Sequence, residues 1–287
     1  MYRIALPNKG RLADDARALF TDAGLDVRVH GDRALTAALG RGDQFQAIFV
    51  RAEDIPEFVA DGAAELGVTG WDLVAESERD VDCLLDLQFG RCRLAVAVAE
   101  DCDVVQVSQI PSGSRVATAF PRLTNAFFSA ASLPVEIVPV SGAAEIAPHL
   151  GIADIIVDLV STGSTLRVNG LREVATVCES SARLIGSTAR ANTDGRVIRE
   201  LVAALESVIR AKGQRYLMAN VPRAALSAVK QVLPGLNGPT VVDILNGGDH
   251  VAVHAVVRAG DIYRTIAELQ SLGATGLLVT RIERLVP

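Results

Sequence analysis

Short apolar runs alternate with helix-spaced segments along most of the chain, and that alternation narrows the possible folds more than any other feature. Residues 3–7 (RIALP) read as a strand. Residues 11–24 read as a helix, with Leu12, Ala16, Leu19 and Phe20 on one face and Gly24 as its stop. Residues 25–29 alternate as a strand, 45–51 (FQAIFVR) form a buried strand, and 52–62 form a helix with Pro56 early in it. LGVTG (66–70) and the helical WDLVAES after it add a further unit. Strand–helix–strand order of this kind predicts an α/β protein with a parallel sheet.

The pattern recurs between residues 100 and 180, with strands at 115–120, 135–140 and 154–160 and helices at 122–132 and 143–151. Residues 86–100 (DLQFGRCRLAVAVAE) are long and apolar-alternating, and they read as one segment passing from a first lobe into a second. The longest helix is expected over 194–213, with a stripe at Val197, Leu201, Leu205 and Ile209. Beyond Lys212-Gly213 the order becomes βαββαβ, a ferredoxin-like split unit. The expected domains are therefore lobe I (1–90 with 181–212), lobe II (91–180) and a C-terminal unit (213–287). A cleft between the lobes, at strand C-termini, is where α/β ligands bind.

A chain of 287 residues is long for one core, and 49% hydrophobic with 4% aromatic content implies interiors of Ala, Val, Leu and Ile. The net charge of -6 argues against a nucleic-acid partner while leaving room for a local basic pocket. The four cysteines, Cys83, Cys92, Cys102 and Cys178, form no CxxC pair, so neither structural zinc nor a disulfide framework is expected. His250 and His254 share a strand face, with Asp243 and Asp249 near in sequence, and read as polar strand positions, not as metal ligands. No apolar segment reaches 18 residues, so no membrane partner is expected. The opening MYRIALPNKGRL has too short an apolar run for a signal peptide, and a cytoplasmic protein is expected.

The most chemically specific stretch is DIIVDLVSTGSTLRVNG (154–170). In a strand, Asp154 and Asp158 point to one face, and carboxylates suit neighbouring hydroxyls such as a ribose diol. Ser161, Thr162, Gly163, Ser164 and Thr165 then offer hydroxyls, backbone N–H groups and one permissive glycine, a phosphate cradle if a helix begins near Ser164. The competing reading is an ordinary capping turn. A P-loop would need a lysine that is absent here.

An acid, a short gap and T-G-x-T after an apolar strand resembles the 5-phosphoribosyl-1-pyrophosphate (PRPP) motif of phosphoribosyltransferases. The usual adjacent acid pair is missing, since Leu159 follows Asp158 and the second acid is Asp154. With DLVSTGSTLRVNGL, this resembles the ATP phosphoribosyltransferase family of histidine biosynthesis in its long form. ALPNKGRL, RAEDIP, GVTGWDLV, LLDLQFGRCRLAVAV and ATAFPRLTNAFF resemble further blocks of that family, in its order. The resemblance implies a two-lobed, periplasmic-binding-protein-like catalytic core with a C-terminal ferredoxin-like regulatory domain. It implies ATP and PRPP as substrates, Mg²⁺ held mainly by the substrate pyrophosphate, L-histidine as inhibitor, and a homo-oligomer between dimer and hexamer.

Under that resemblance the catalytic candidates are Asp154, Asp158, Lys9 and Arg51, and residues 161–165 bind the phosphate. Gly10, Arg11 and Asp72 are candidates for ATP. Trp71 is expected to pack in the core, and Arg115, Thr118, Arg122 and Asn125 are weaker candidates near strand and helix ends. In the tail, PGLNGPT (234–240) is a loop able to wrap a ligand backbone, giving Leu236, Asn237, Gly238, Thr240 and Asp243 as regulatory candidates. A solute-binding protein, a transcription-regulator effector domain and a different phosphoribosyltransferase are the competing classes. They would show a signal peptide, a helix-turn-helix or an adjacent acid pair, respectively.

Overall fold

A computed structural model describes residues 1–28, 34–187, 195–245 and 248–286. The chain forms two compact units, Met1–Arg199 and Glu200–Pro287. The first unit contains two mixed sheets. Strands β1 (Tyr2–Pro7), β2 (Val27–Arg28), β3 (Thr36–Leu39), β4 (Phe45–Val50), β5 (Leu66–Gly70) and β6 (Asp82–Asp86) alternate with helices α1 (Ala13–Asp22), α2 (Ile55–Ala60) and α3 (Trp71–Ser77). The chain then enters the second sheet through β7 (Cys92–Ala99), β8 (Arg115–Thr118), α4 (Pro121–Ala130), β9 (Glu136–Pro139), β10 (Ile155–Val160), α5 (Ser164–Val168) and β11 (Leu171–Ser180). It returns to the first sheet as β12 (Ala182–Gly186).

The first sheet has the order β2-β3-β4-β1-β5-β12-β6, and the second β11-β7-β10-β8-β9. Among the described residues, the parallel pairings join β4, β1 and β5 in one sheet and β9, β8 and β10 in the other. The strands that pass between the sheets are antiparallel to their neighbours, so the expected parallel sheet is in fact mixed. Each sheet orders its parallel strands second, first, third and adds an antiparallel strand beyond the third, which is the two-lobed, periplasmic-binding-protein-like α/β core. The segment expected as one long run over 86–100 is broken between β6 and β7, where Gln88 and Gly90 both adopt φ of 60°. The helix expected over 143–151 is one 3-10 turn, Ala144–Ile146, entered from a left-handed Ala143.

Burial explains the layers. All of β5 is buried, as a strand covered on both faces must be. In the second sheet, period two divides two cores. Ala95, Ala97, Ala117 and Ile156 lie in one with Ala144 and Leu166. Leu94, Val96, Val98 and Val116 lie in the other with Phe120 and Phe128 of the α4 segment. Small side chains thus line the face that carries the 144–146 turn and α5.

The helix α6 (Gly195–Ala211) buries Leu201, Leu205, Val208 and Ile209. Its residues from Glu200 group with the C-terminal unit, short of the expected Lys212-Gly213 boundary. Part of the reason is that Leu285 N–H donates to the Ser207 carbonyl at 2.9 Å. The rest of that unit is β13 (Gln214–Pro222), α7 (Leu226–Val232), β14 (Thr240–Asp243), β15 (His250–Arg258), α8 (Ile262–Ser271) and β16 (Thr275–Arg281), in sheet order β14-β15-β13-β16. This is the ferredoxin-like arrangement. Leu217, Ala219, Val221, Val251 and Val253 alternate onto its helix-covered face.

Helix α2 packs so closely on β5 that a Cβ at Gly67 would collide with Ile55 Cγ2 and sit 2.9 Å from Val59 Cγ2. Gly67→Ala should therefore lower stability by about 1–3 kcal/mol, read as a drop in the urea midpoint with an unchanged m-value.

Candidate active site

The parallel strands of both sheets deliver their C-terminal ends to two adjoining cavities. The first, of about 390 Å³, is lined by residues 158–166 and Glu145. It is built by β10 ending at Val160, a turn, and the short α5. Gly163 sits in that turn at φ 75°, where any L side chain is strained. Thr162 Oγ1 and Ser164 Oγ lie 3.0 Å apart. Among the described residues, the N–H groups of Thr162 and Gly163 donate to no protein acceptor. Asp158 stands at the cavity floor, where its Oδ1 accepts the Leu159 N–H at 2.7 Å. Burial pushes its carboxyl above the usual carboxylate range; the Leu159 N–H opposes this, and the nearby Glu145 adds to it.

Glu145 was not among the sequence candidates, because AAEIAPHLG looked like an ordinary helix. Its position beyond the end of the parallel strand β9 is the signal that could have found it.

Asp154 stands apart from this cavity. It precedes β10, four residues from Asp158, so an extended strand separates them by about 13 Å. The two share a face but not an end, and Asp154 does not line the cavity. It accepts the Arg115 N–H at 2.8 Å and pairs with Arg115 Nη2 at 3.0 Å, and those bonds hold its carboxyl below the usual range. Arg115 is likewise taken up here, with a further bond to the Gly151 carbonyl at 2.9 Å.

The second cavity, of about 500 Å³, lies where β1, β4 and β5 end, and segments after β8 and β9 close it. Lys9, Gly10, Arg11, Arg51 and Asp72 all line it, and Leu159 lines both cavities. Lys9 is exposed and in no ion pair among the described residues. Arg51 is exposed, and its Nη1 lies 3.6 Å from Glu53 Oε1. Gly10, at φ 86°, has open space around it. These groups put positive charge at a strand-end cavity in an otherwise acidic protein.

Asp72 is held from within the protein. Its side chain is 0% exposed. Its carboxylate accepts the Ser180 hydroxyl, its N–H donates to Ser180 Oγ at 3.0 Å, and Arg11 Nη2 lies 3.4 Å away. Arg11 also donates to the Gly90 carbonyl. Asp72 is thus an internal anchor for Arg11, which lines the same cavity.

The weaker candidates have structural roles or stand apart. Thr118 is buried and accepts the Phe120 N–H at 2.9 Å. Arg122 bonds the carbonyls of Glu76 and Ser77 at 3.1 and 2.9 Å, closing the end of α3. Asn125 is exposed and lines neither cavity. Trp71 packs against the Ile55 and Val59 core, as expected.

In the C-terminal unit, a third cavity of about 570 Å³ is lined by Gly235 and Leu236 together with Arg258, Asp261, Arg264 and Glu268. Asn237, Gly238, Thr240 and Asp243 do not line it, and Asp243 pairs with Arg223. His254 Nδ1 lies 2.9 Å from the Tyr216 hydroxyl. Among the described residues, no group of three His, Cys, Asp or Glu could hold a metal ion, and no helix is long and apolar enough to cross a membrane.

Fold and site define a class first: a two-lobed α/β protein whose parallel strands end on a polar cavity and a basic one. Comparison with known proteins narrows it. The ATP phosphoribosyltransferase (HisG) family matches residues 51–207, and the HisG C-terminal domain matches 211–284. The ATP phosphoribosyltransferase of Gemmatimonas aurantiaca is 64% identical over 295 residues, covering 100% of both chains. That of Methanocella arvoryzae is 47% identical over 286 residues, again covering 100% of both. Among solved structures, the ATP phosphoribosyl transferase (HisG:HisZ) complex from Thermotoga maritima matches with a TM-score of 0.65 at 23% identity. It covers 73% of this chain and 99% of that one, a likeness of fold. The chain belongs to the ATP phosphoribosyltransferase family of histidine biosynthesis, in its long form, and is a pentosyltransferase.

The Arg115–Asp154 pair gives a pH test. Asp154 has a lowered folded pKa, so its contribution is present above its unfolded value of about 3.9. It is lost as the pH falls through the lower folded value. The melting-temperature gap between the wild type and Asp154→Asn should be open at pH 7 and close below about pH 4. Turnover of the variant at pH 7 should stay within about twofold of the wild type.

Proposed function

We propose that the protein joins N1 of ATP to C1 of PRPP, releasing pyrophosphate, and that L-histidine inhibits it through the C-terminal unit. The adenine N1 lone pair forms the new bond to C1 as the C1–O bond breaks, and its electron pair leaves on pyrophosphate. No enzyme nucleophile is needed, so the protein's work is positioning and charge stabilisation.

The observation that carries this reading is the cavity in which Asp158 faces a turn with free N–H groups, beside a basic cavity that shares Leu159 with it. The 161–165 turn takes the 5-phosphate, through backbone N–H groups and hydroxyls. The five-residue α5 adds little dipole of its own. Asp158 and Glu145 face the ribose hydroxyls and the positive charge that builds at C1. Lys9, Arg11 and Arg51 meet the pyrophosphate and the ATP phosphates, with Gly10 allowing close backbone approach. Mg²⁺, when bound, would neutralise charge on the leaving pyrophosphate, and Asp158 and Glu145 would offer the hard oxygen donors that suit it. In the C-terminal unit the loop carrying Leu236 to Thr240, with Asp243, is the histidine-responsive segment. The enzyme works in the cytoplasm as a homo-oligomer.

The direct test mixes the protein with ATP, PRPP and Mg²⁺ and follows phosphoribosyl-ATP, then adds L-histidine. No product would overturn the assignment, and product formation unaffected by histidine would overturn the regulation. Asp158→Asn should cut kcat by about 100-fold. Because the raised pKa of Asp158 makes its charge costly at neutral pH, the same variant should melt at or above the wild-type temperature. Leu236→Arg should raise the histidine concentration needed for half-inhibition at least about tenfold, with kcat unchanged.

A further inference from the structure

A phosphate-binding turn works only if its peptide planes face the right way, and one arginine outside the cavity controls such a plane. Arg93 lies on β7, opposite Val160 of β10, and shares the alanine face with Ala95 and Ala97. Its Nη1 donates to the Ser161 carbonyl at 3.4 Å. Its Nε and Nη2 grip Glu173, with contacts of 2.8, 2.9 and 2.6 Å. Glu173 also accepts the Thr176 hydroxyl at 3.2 Å.

The strand β11 is shaped for this. Its register shifts between Glu173 and Ala175 and again between Thr176 and Cys178. As a result Glu173, Thr176 and Glu179 oppose Ala97, Ala95 and Arg93 in turn, although their spacing is three rather than two. Bulges re-aim side chains, and these two bring Glu173 and Thr176 onto the Arg93 face.

In a planar trans peptide the carbonyl and the following N–H point in opposite directions. Arg93 is not among the residues lining the phosphate cavity, whereas Thr162 is. A Ser161 carbonyl held by Arg93 therefore points away from the cavity, and the Thr162 N–H points towards it. With the plane flipped, a carbonyl dipole would confront the anion. We infer that Arg93, oriented by Glu173 and Thr176, is a positioning residue that sets the 161–162 peptide for the phosphoryl group. This rests on the proposed role of the turn.

The test is calorimetric titration of PRPP and of ribose 5-phosphate into the full-length wild type, Arg93→Met, Arg93→Lys, Glu173→Gln and Thr176→Val, with KM for ATP measured alongside. Arg93→Met should weaken both sugar phosphates by about tenfold, the size of one charge-assisted hydrogen bond. Its KM for ATP should stay within about twofold. Arg93→Lys should recover part of the loss, and Glu173→Gln should fall between Arg93→Met and the wild type. Equal affinity of Arg93→Met and wild type for ribose 5-phosphate overturns the inference, and so does an equal loss of ATP and sugar-phosphate binding. If Arg93→Met does not fold, Glu173→Gln and Thr176→Val decide, and wild-type affinity in both rejects it. A wild type that binds no PRPP rejects the proposed function itself, a result separate from the others.

Discussion

A carboxylate with no solvent exposure, Asp72, anchors the place where the chain crosses between the two sheets of the first unit. Burying it is costly unless its lone pairs are used, and they are, by the Ser180 hydroxyl and the Arg11 guanidinium. Ser180 ends the strand that leaves the second sheet, and Gly90, whose carbonyl Arg11 also holds, precedes the strand that enters it. Both crossings are thus tied to one cluster. Trp71 N–H to the Ser181 carbonyl and Ala182 N–H to the Phe89 carbonyl, each 3.0 Å, complete the join. A Cβ on Gly70 would strike the Asp72 carboxylate, so that glycine makes the cluster possible.

From that join, the strand ends fall into place. The parallel strands of both sheets finish at adjoining cavities, and the side-chain size pattern of the second sheet settles what each face carries. Bulky side chains support α4, while alanines leave a thin layer on which the 144–146 turn, α5 and the Arg93–Glu173 pair sit close to the sheet. The 161–165 turn therefore lies between two segments, β10 and α5, whose Val160 and Leu166 pack into that alanine-lined core.

Much of this was legible in the sequence. Apolar runs located most strands, and the order of elements gave two lobes and a ferredoxin-like tail. What escaped has physical causes. The strands β11 and β12 were hidden because two bulges break the alternation of β11 and its partners are distant in sequence. Gly90 hinted at the break after β6, but Gln88 with the same left-handed backbone gave no hint. For Asp154, periodicity reported the face of the strand and was silent on depth along it. For Asp72, the partner that holds it, Ser180, lies 108 residues away and could not be read locally. Glu145 was lost when a single turn passed for a helix.

The position of β12 has a consequence for how the chain is made. It lies between β5 and β6, neighbours in sequence that never pair with each other. Until the ribosome has released residue 186, the first sheet stops at β5, and β6 has no partner in it. The second sheet, by contrast, is drawn entirely from residues 92–180 and can close as soon as that block emerges. Non-local pairing is slow to form, so the second lobe is placed to fold ahead of the first. The amino-terminal third of the polypeptide then waits, incomplete, for a strand synthesised after its neighbour is finished.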